Sequence, residues 1–424
     1  MNIHLRKFSK LEYPFNSKKV SLILANPPFG NEESKYEILK TYTLYNEHAI
    51  KKTECLFIER AIRTLQPEGE LAIVIPDGVL VCDITKWVRK YICKYAAIKA
   101  VVSLPKHTFT PSGVQTISTS VLYLKKFCAD YLSEVDCERV EDNIPTIQHK
   151  YGYDNYNVFM GVATQIGYEP NGRVSRSGIN HLDMILSEYR KARENEFYKS
   201  EKYKILDNNC LVTNISNIIN KRFDARYYWF EHVLNSMKFE KVPLSHYIDI
   251  KTKIVKPREE SPNDSFSILS VTNTYGVILD ESDEKKFEVS GSEISKAKVV
   301  KEGYVAFNPY RVNVGSIGIV GKEFDGYLIS PAYVVFQTKN GLDAKVLCAL
   351  FKNPFYNLYI DIIGLSSIRT SLSASKLKKI LIPKLLIEQD VSFILNKYDN
   401  IDKLRDKIKK QYAKMQSDIS DMLN

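Results

Sequence analysis

Over residues 1–126 the apolar positions alternate between short β-branched runs and stretches with helical spacing. The runs are Ser21–Ala25, Leu71–Pro76, Ile98–Leu104 and Thr119–Lys125. Between the first two, Leu56, Phe57, Ala61, Ile62 and Leu65 fall on one face of a helix predicted over Thr53–Leu65 and ended by Pro67 and Gly69. A second helix is predicted over Ile84–Tyr95. Strand, helix, strand, helix, strand predicts a mostly parallel sheet covered on both faces. The last run follows a turn with Pro111 and Gly113, closer to a hairpin than a crossover.

Residues 127–200 are less regular, with a polar stretch near Asp130–Asn143 and a charged helix expected at about Asn180–Phe197. Residues 201–240 read as a linker ending in a helix around Ala225–Met237. From Val242 the texture changes to short runs at Phe266–Val271, Gly303–Asn308, Ser316–Val320, Gly326–Ile329 and Tyr333–Gln337. These predict a separate mixed or mainly β domain. From Ile387 to the end, Val391, Ile394, Tyr398, Ile401, Leu404, Ile408, Tyr412, Met415, Ile419 and Met422 keep mostly three-four spacing. One long helix with a coiled-coil seam is expected there. Packing on its own domain also satisfies such a seam, but heptads sustained without Gly or Pro favour a partner helix.

Composition narrows the function classes. The 424 residues suffice for two or three domains, and 44% hydrophobic residues exclude a wholly disordered chain. No apolar run nears the roughly 20 residues that span a bilayer, and the first residues, MNIHLRKFSKLEYPF, have no signal-peptide core. The seven cysteines are scattered with no C-x-x-C, and the seven histidines include no H-x-x-x-H pair. Reduced thiols, a cytoplasmic location and no metal site are expected. Sixty Lys+Arg against fifty Asp+Glu give a charge of +10, which favours a polyanionic partner without identifying it.

Asn26-Pro27-Pro28-Phe29, directly after the run Ser21–Ala25, carries the chemistry. Beyond the carboxyl end of a strand in an α/β sheet, a polar residue faces the ligand site. An exocyclic amine on an aromatic ring is a poor nucleophile because its lone pair is delocalised. The Asn26 side-chain oxygen and the Pro27 carbonyl can both accept its protons, which favours a tetrahedral nitrogen aimed at an electrophilic methyl. Two prolines fix φ and remove backbone donors. The Phe29 ring can stack on a base taken out of its duplex.

This segment resembles amino-methyltransferases that use S-adenosylmethionine, and N-P-P-F-G in particular is similar to the modification subunits of type I restriction–modification systems. Leu56–Glu59 through Leu65–Gly69, then Ala72–Leu80, fit those subunits. So do Phe109-Thr110-Pro111 with Gly113–Thr116, Phe159-Met160, Ile166–Tyr168 and Gly172-Arg173. The resemblance covers about residues 20–200. It implies that Asn26 and Pro27 hold the adenine N6 amine, and that Pro28 and Phe29 shape the base pocket. It also implies that Phe57 lies against the cofactor's adenine and that Phe109 closes the other face of the flipped base. For Phe57 and Phe109 an ordinary core position is an equal reading, and Asp77 reads as a cap of its turn.

The family places a glycine-rich loop after its first strand and an acidic residue after its second, both ahead of N-P-P-F. Residues 1–25 hold no glycine. The strand at Ser21–Ala25 is therefore expected to present a hydrophobic edge. A second chain carrying the cofactor-binding strands is expected to complete the site; a truncated remnant is the other possibility.

From about residue 242 the chain resembles one target-recognition repeat of a type I specificity subunit followed by its spacer helix. The matching stretches include Ile268–Val271, Gly276–Ile278, Gly303–Asn308 leading to Arg311, Ser330–Tyr333 and Ser367–Arg369. Arg311 beside Tyr310 and Asn313, and Arg369 beside Ser366 and Ser367, are the expected contacts to phosphates or base edges. A surface salt bridge is the competing reading for each arginine. A single repeat and a single helix imply a homodimer or hetero-oligomer on double-stranded DNA.

The expected architecture is α/β: a partial Rossmann-like methyltransferase sheet over 1–200, a linker and helix over 201–240, an α+β target-recognition domain over 241–386, and a coiled-coil helix over 387–424. The expected activity is site-specific DNA adenine-N6 methylation with S-adenosylmethionine. The alternatives are a non-catalytic DNA-specificity subunit with a remnant methyltransferase segment, and a methyltransferase acting on protein or RNA.

Overall fold

The computed structural model describes residues 19–110, 117–127, 156–169, 171–194, 204–205, 209–219, 221–256, 268–279, 296–365 and 371–423. They divide into two compact units, one up to Ser236 together with Leu365 and the other from Met237 without it.

The first unit is built on a mixed seven-stranded sheet. Its strands are β1 (Val20–Ala25), β2 (Leu65–Pro76), β3 (Ala96–Ser103), β4 (Thr119–Lys126), β5 (Asn157–Val162), β6 (Lys204–Ile205) and β7 (Cys210–Asn214), in the order β1-β2-β4-β3-β5-β7-β6. β1 and β2 are parallel, with Leu24 opposite Ala72. β4 lies antiparallel between β2 and β3, pairing Thr119 with Pro76 and Ser120 with Ser103. β4 thus folds back beside β3 into the middle of the sheet, and with β7 it makes the sheet mixed; Pro111 and Gly113, where the sequence places a turn, lie outside the described residues.

Its helices are α1 (Tyr36–Leu39), α2 (Thr43–His48), α3 (Thr53–Thr64), α4 (Asp77–Val81), α5 (Lys86–Tyr95), α6 (His181–Glu194), α7 (Ile215–Ile218) and α8 (Ala225–Ser236). Ile58 and Ile62 of α3 and Val88 and Ile92 of α5 pack with Leu71, Ile73 and Ile75 of β2 and Leu122 and Leu124 of β4. Over the opposite face, Ile185 and Ala192 of α6 cover Ala100, Phe159, Cys210 and Val212. α6 reaches only part of that face. Val20, Leu22 and Leu24 of β1 alternate outward, and Leu24 is 75% exposed. Among the described residues β1 pairs with β2 alone.

Residues 201–240 differ from the expected linker. β7 lies inside the sheet, paired to β5 with every residue buried, and Ala225 and Tyr228 of α8 join the main core. β5 was equally hidden, because an apolar run of this length within polar surroundings gives no period to read.

In the second unit, β8 (Lys241–Pro243) pairs with β17 (Leu381–Pro383). One four-stranded sheet has the order β11 (Gly276–Leu279), β10 (Ile268–Thr272), β15 (Leu328–Ile329), β12 (Lys298–Val299). The other has the order β14 (Ile317–Ile319), β13 (Val305–Phe307), β16 (Val334–Thr338), β9 (Ile248–Ile250). Leu269, Val271, Val277, Val300, Ala306, Val320, Ile329 and Val335 form a core between them. The sheets touch at Gly276 and Gly318: a Cβ on Gly318 would lie 2.6 Å from the Gly276 Cα.

Four helices follow that the strand pattern did not announce or misplaced: α9 (Ala344–Phe351), α10 (Pro354–Gly364), α11 (Ala374–Leu377) and α12 (Leu385–Glu388). The long helix expected from Ile387 begins at Ser392. α12 stops at Glu388, and α13 (Ser392–Leu423) starts afresh where the Asp390 carboxylate accepts from Ser392 N at 2.8 Å. The first turns of α13 pack on α9, with Lys345 bonded to Asp399 at 2.6 Å. Farther along, Ile401, Leu404, Ile408 and Met415 are exposed.

Candidate active site

The chain leaves β1 at Ala25 and turns out of the sheet as Asn26-Pro27-Pro28-Phe29, with Pro27 buried, Asn26 and Pro28 exposed and Phe29 half-buried. Thr53, the first residue of α3, holds this turn from below. Its hydroxyl donates to the Pro28 carbonyl and the Asn31 carbonyl, each at 3.3 Å, and its N–H donates to Asn31 O at 3.0 Å. Gly30 ends the turn at φ +76°, a backbone region that side chains with a Cβ rarely occupy.

Phe29 and Gly30 face a hollow at the carboxyl ends of β1 and β2, where α/β sheets bind ligands. Pro76, Gly78 and Val79 line it from the end of β2 and from α4, Lys52 and Glu54 from the start of α3, and Ser118 from the approach to β4. Phe109, in the loop after β3, meets Phe29 edge to face. The sequence placed these two residues far apart, and the fold brings them together.

Asp77 is buried to 1% exposure at the first turn of α4. Burial pushes its carboxyl above the usual range, against the opposing pull of Arg226 and of the Ser120 hydroxyl. Ser120 Oγ donates to Asp77 Oδ1 at 2.6 Å, and the Arg226 guanidinium lies 3.8 Å from Oδ2. Arg226, Ser118 and Ser120 were not legible as site residues. A lone arginine in a helix gives no local signal that it meets a carboxylate remote in sequence.

Phe57 lies on α3, half-buried and packed against the main core. In the second unit, Tyr310 and Arg311 are exposed on the turn after β13. The Asn313 side chain is engaged within the unit, its Nδ2 donating to Asp361 Oδ1 at 2.6 Å. Arg369 lies outside the described residues, as do Ser366 and Ser367. Among the described residues no group of three His, Cys, Asp or Glu side chains is placed to hold a metal, and no helix is long and apolar enough to cross a membrane.

The donor set around Asn26 suits an amine. The Asn26 amide oxygen and the main-chain carbonyls of the turn are acceptors on a rigid support. For a sulfonium cofactor with an amino-acid end and a ribose, the described residues supply this side of the site and not the glycine turn that would hold the methionine end.

Residues 2–157 match the family model of N-6 DNA methylases. Over 127 residues the chain is 30% identical to the methylase subunit of the type I restriction enzyme EcoEI from Escherichia coli, covering 29% of this chain and 25% of that protein. It is 29% identical over 116 residues to the EcoKI methylase subunit of Escherichia coli strain K12, covering 26% and 20%. The chain thus spans a quarter or less of the length of these relatives. Among solved structures, the type IIG restriction endonuclease BpuSI is similar over 92% of this chain and 50% of its own, with 11% identity and a TM-score of 0.43. The family-model match and the two methylase subunits bear out the resemblance to restriction–modification methyltransferases that the sequence carries.

Proposed function

We propose that this chain, whose N-terminal unit carries the N-6 DNA methylase match, is the amine-binding and DNA-recognising component of an adenine-N6 DNA methyltransferase in a restriction–modification system. The observation that carries the reading is the Asn26-Pro27-Pro28-Phe29 turn at the end of β1, fixed by Thr53, whose Phe29 ring lines a hollow and meets Phe109. The Asn26 amide oxygen and the Pro27 carbonyl accept the two N6 protons, and Phe29 stacks on the flipped adenine while Phe109 bounds the pocket. S-adenosylmethionine supplies the electrophilic methyl. The chain's own part is orientation and electrostatics: prolines that cannot donate keep the acceptors in place.

A second chain supplying the glycine-loop strands completes the cofactor site. Two features support this: β1 pairs only with β2 among the described residues, and Leu22 and Leu24 are exposed beside that open edge. DNA contact falls to Tyr310 and Arg311 in the second unit, with Arg369 a further candidate. Asn313, tied to Asp361, shapes their turn. The stripe Ile401, Leu404, Ile408 and Met415 on α13 suits association through a partner helix.

The test is S-adenosylmethionine binding and methylation of duplex DNA, with the chain alone and with the product of a neighbouring methylase gene added. Weak binding alone and N6-methyladenine only in the mixture are expected. Tight binding by the isolated chain would refute the divided site. DNA binding without methylation in any mixture would make the chain a specificity subunit.

A further inference from the structure

The loop that carries Phe109 leaves the sheet at Leu104 and returns at Ser118, between β3 and β4. Its two ends meet where the Leu104 N–H donates to the Thr119 carbonyl at 2.9 Å, and one side chain from α8 reaches both of them as well. Arg226 Nη2 donates to the Leu104 carbonyl, and Arg226 Nη1 lies 3.4 Å from Ser118 Oγ. The guanidinium is itself fixed by the buried Asp77, whose N–H donates to the Ser118 carbonyl at 2.9 Å and whose carboxylate accepts from Ser120. Ser103 Oγ and Ser120 Oγ, 3.2 Å apart, continue the network across the β3–β4 ladder. Nearer Phe109, Thr108 Oγ1 donates to Pro105 O at 2.6 Å, Thr110 N to His107 O at 3.1 Å, and His107 Nε2 lies 3.0 Å from the Tyr168 carbonyl.

We propose that Arg226 is a positioning residue: held by Asp77, its guanidinium clips Leu104 to Ser118 and thereby sets where Phe109 stands relative to Phe29. The planar fork of Arg presents several donors in fixed directions, so one group can serve two loop ends and a carboxylate together. Lysine has a single ammonium and cannot hold all three at that geometry. The assignment deepens the reading of Phe29 and Phe109 as the walls of a base pocket and rests on it for its functional consequence. Its structural content stands apart from that reading.

The test uses the full-length chain with 4-fluorophenylalanine at position 109, observed by 19F NMR. Arg226→Met and Arg226→Lys are each expected to shift and broaden the resonance. An Asp77→Asn/Arg226→Met double variant, which removes the buried charge along with its partner, is expected to keep the displaced resonance. Return of the parent resonance in the double variant would mean that Arg226 only neutralises Asp77, and would overturn the proposal. If Arg226→Met does not fold, Arg226→Lys and the double variant decide by the same readout. In the reconstituted assembly, Arg226→Lys should lower kcat by about tenfold or more with KM for DNA within about twofold. An unchanged resonance in both single variants would also overturn it. A displaced resonance in a chain that never methylates DNA would leave the clip standing and remove the base-pocket reading.

Discussion

Phe29 and Phe109 meet with ring centroids 5.7 Å apart and planes at 76°, one from the turn after β1 and the other from the loop after β3. Such an edge-to-face pair contributes about 0.5–1.5 kcal/mol, enough to order two otherwise exposed loops but weak enough to open for an entering base. Phe109→Ala should therefore change stability by no more than about 1–2 kcal/mol. It should lower kcat for methylation by about tenfold or more, since stacking on a base is worth roughly 1–3 kcal/mol. Thermal unfolding and steady-state kinetics check the two halves; a large loss of stability with unchanged kcat would return Phe109 to an ordinary core role.

Glu59 is fully buried in α3, and its carboxylate accepts from the backbone N–H groups of Thr43 at 2.8 Å and Leu44 at 2.9 Å, with Arg63 at 3.2 Å. Glu59 thus closes the start of α2, a helix without a side-chain cap of its own. Glu59→Ala leaves one buried and one half-buried donor unmet and is expected to cost about 1–3 kcal/mol in urea denaturation. A cost under about 0.5 kcal/mol would show that water replaces the carboxylate.

At the second unit's sheet contact, the backbone of Gly318 lies against Gly276 so closely that an added methyl has nowhere to go. Gly318→Ala should destabilise that unit by about 1–3 kcal/mol through overpacking. Because the same change leaves the first unit untouched, a two-step denaturation curve should move in one step only.

Burial pushes the thiols of Cys55, Cys93, Cys210 and Cys348 from 9.0 up to about 12. These groups are held neutral in the folded chain, so the stability they contribute is complete below pH 9 and is lost as pH rises toward 12. In the native protein at pH 8, none should react with a disulfide reagent on the timescale of an exposed thiol. Mass mapping of labelled cysteines checks this, with guanidinium-unfolded protein as the reactive control.

The sequence carried the tetrapeptide at β1, the helices over α3 and α5, and the hairpin into β4, because each shows a period or a turn residue. It hid β5 and β7, whose short runs of buried residues have no polar alternation, so residues 201–240 read as a linker although they complete the sheet. Likewise, Asn26 and Phe29 could be singled out because their chemistry sits in four consecutive residues. Arg226 could not, since its meaning lies in three contacts made only after folding: Asp77, Leu104 and Ser118. The break between α12 and α13 escaped for a local reason: Asp390 caps a new helix inside a stretch that contains neither Gly nor Pro.

The central claim is most directly met by Asn26→Ala in the full-length chain, assembled with its complementing subunit and assayed for N6-methyladenine in duplex DNA by mass spectrometry. Loss of the amide acceptor should lower kcat by about 10²–10³-fold or more, as for removal of one preorganised polar group at a reacting centre. DNA affinity should stay within about threefold. Methylation within threefold of the parent, or equal loss of methylation and DNA binding, would contradict the role assigned to Asn26.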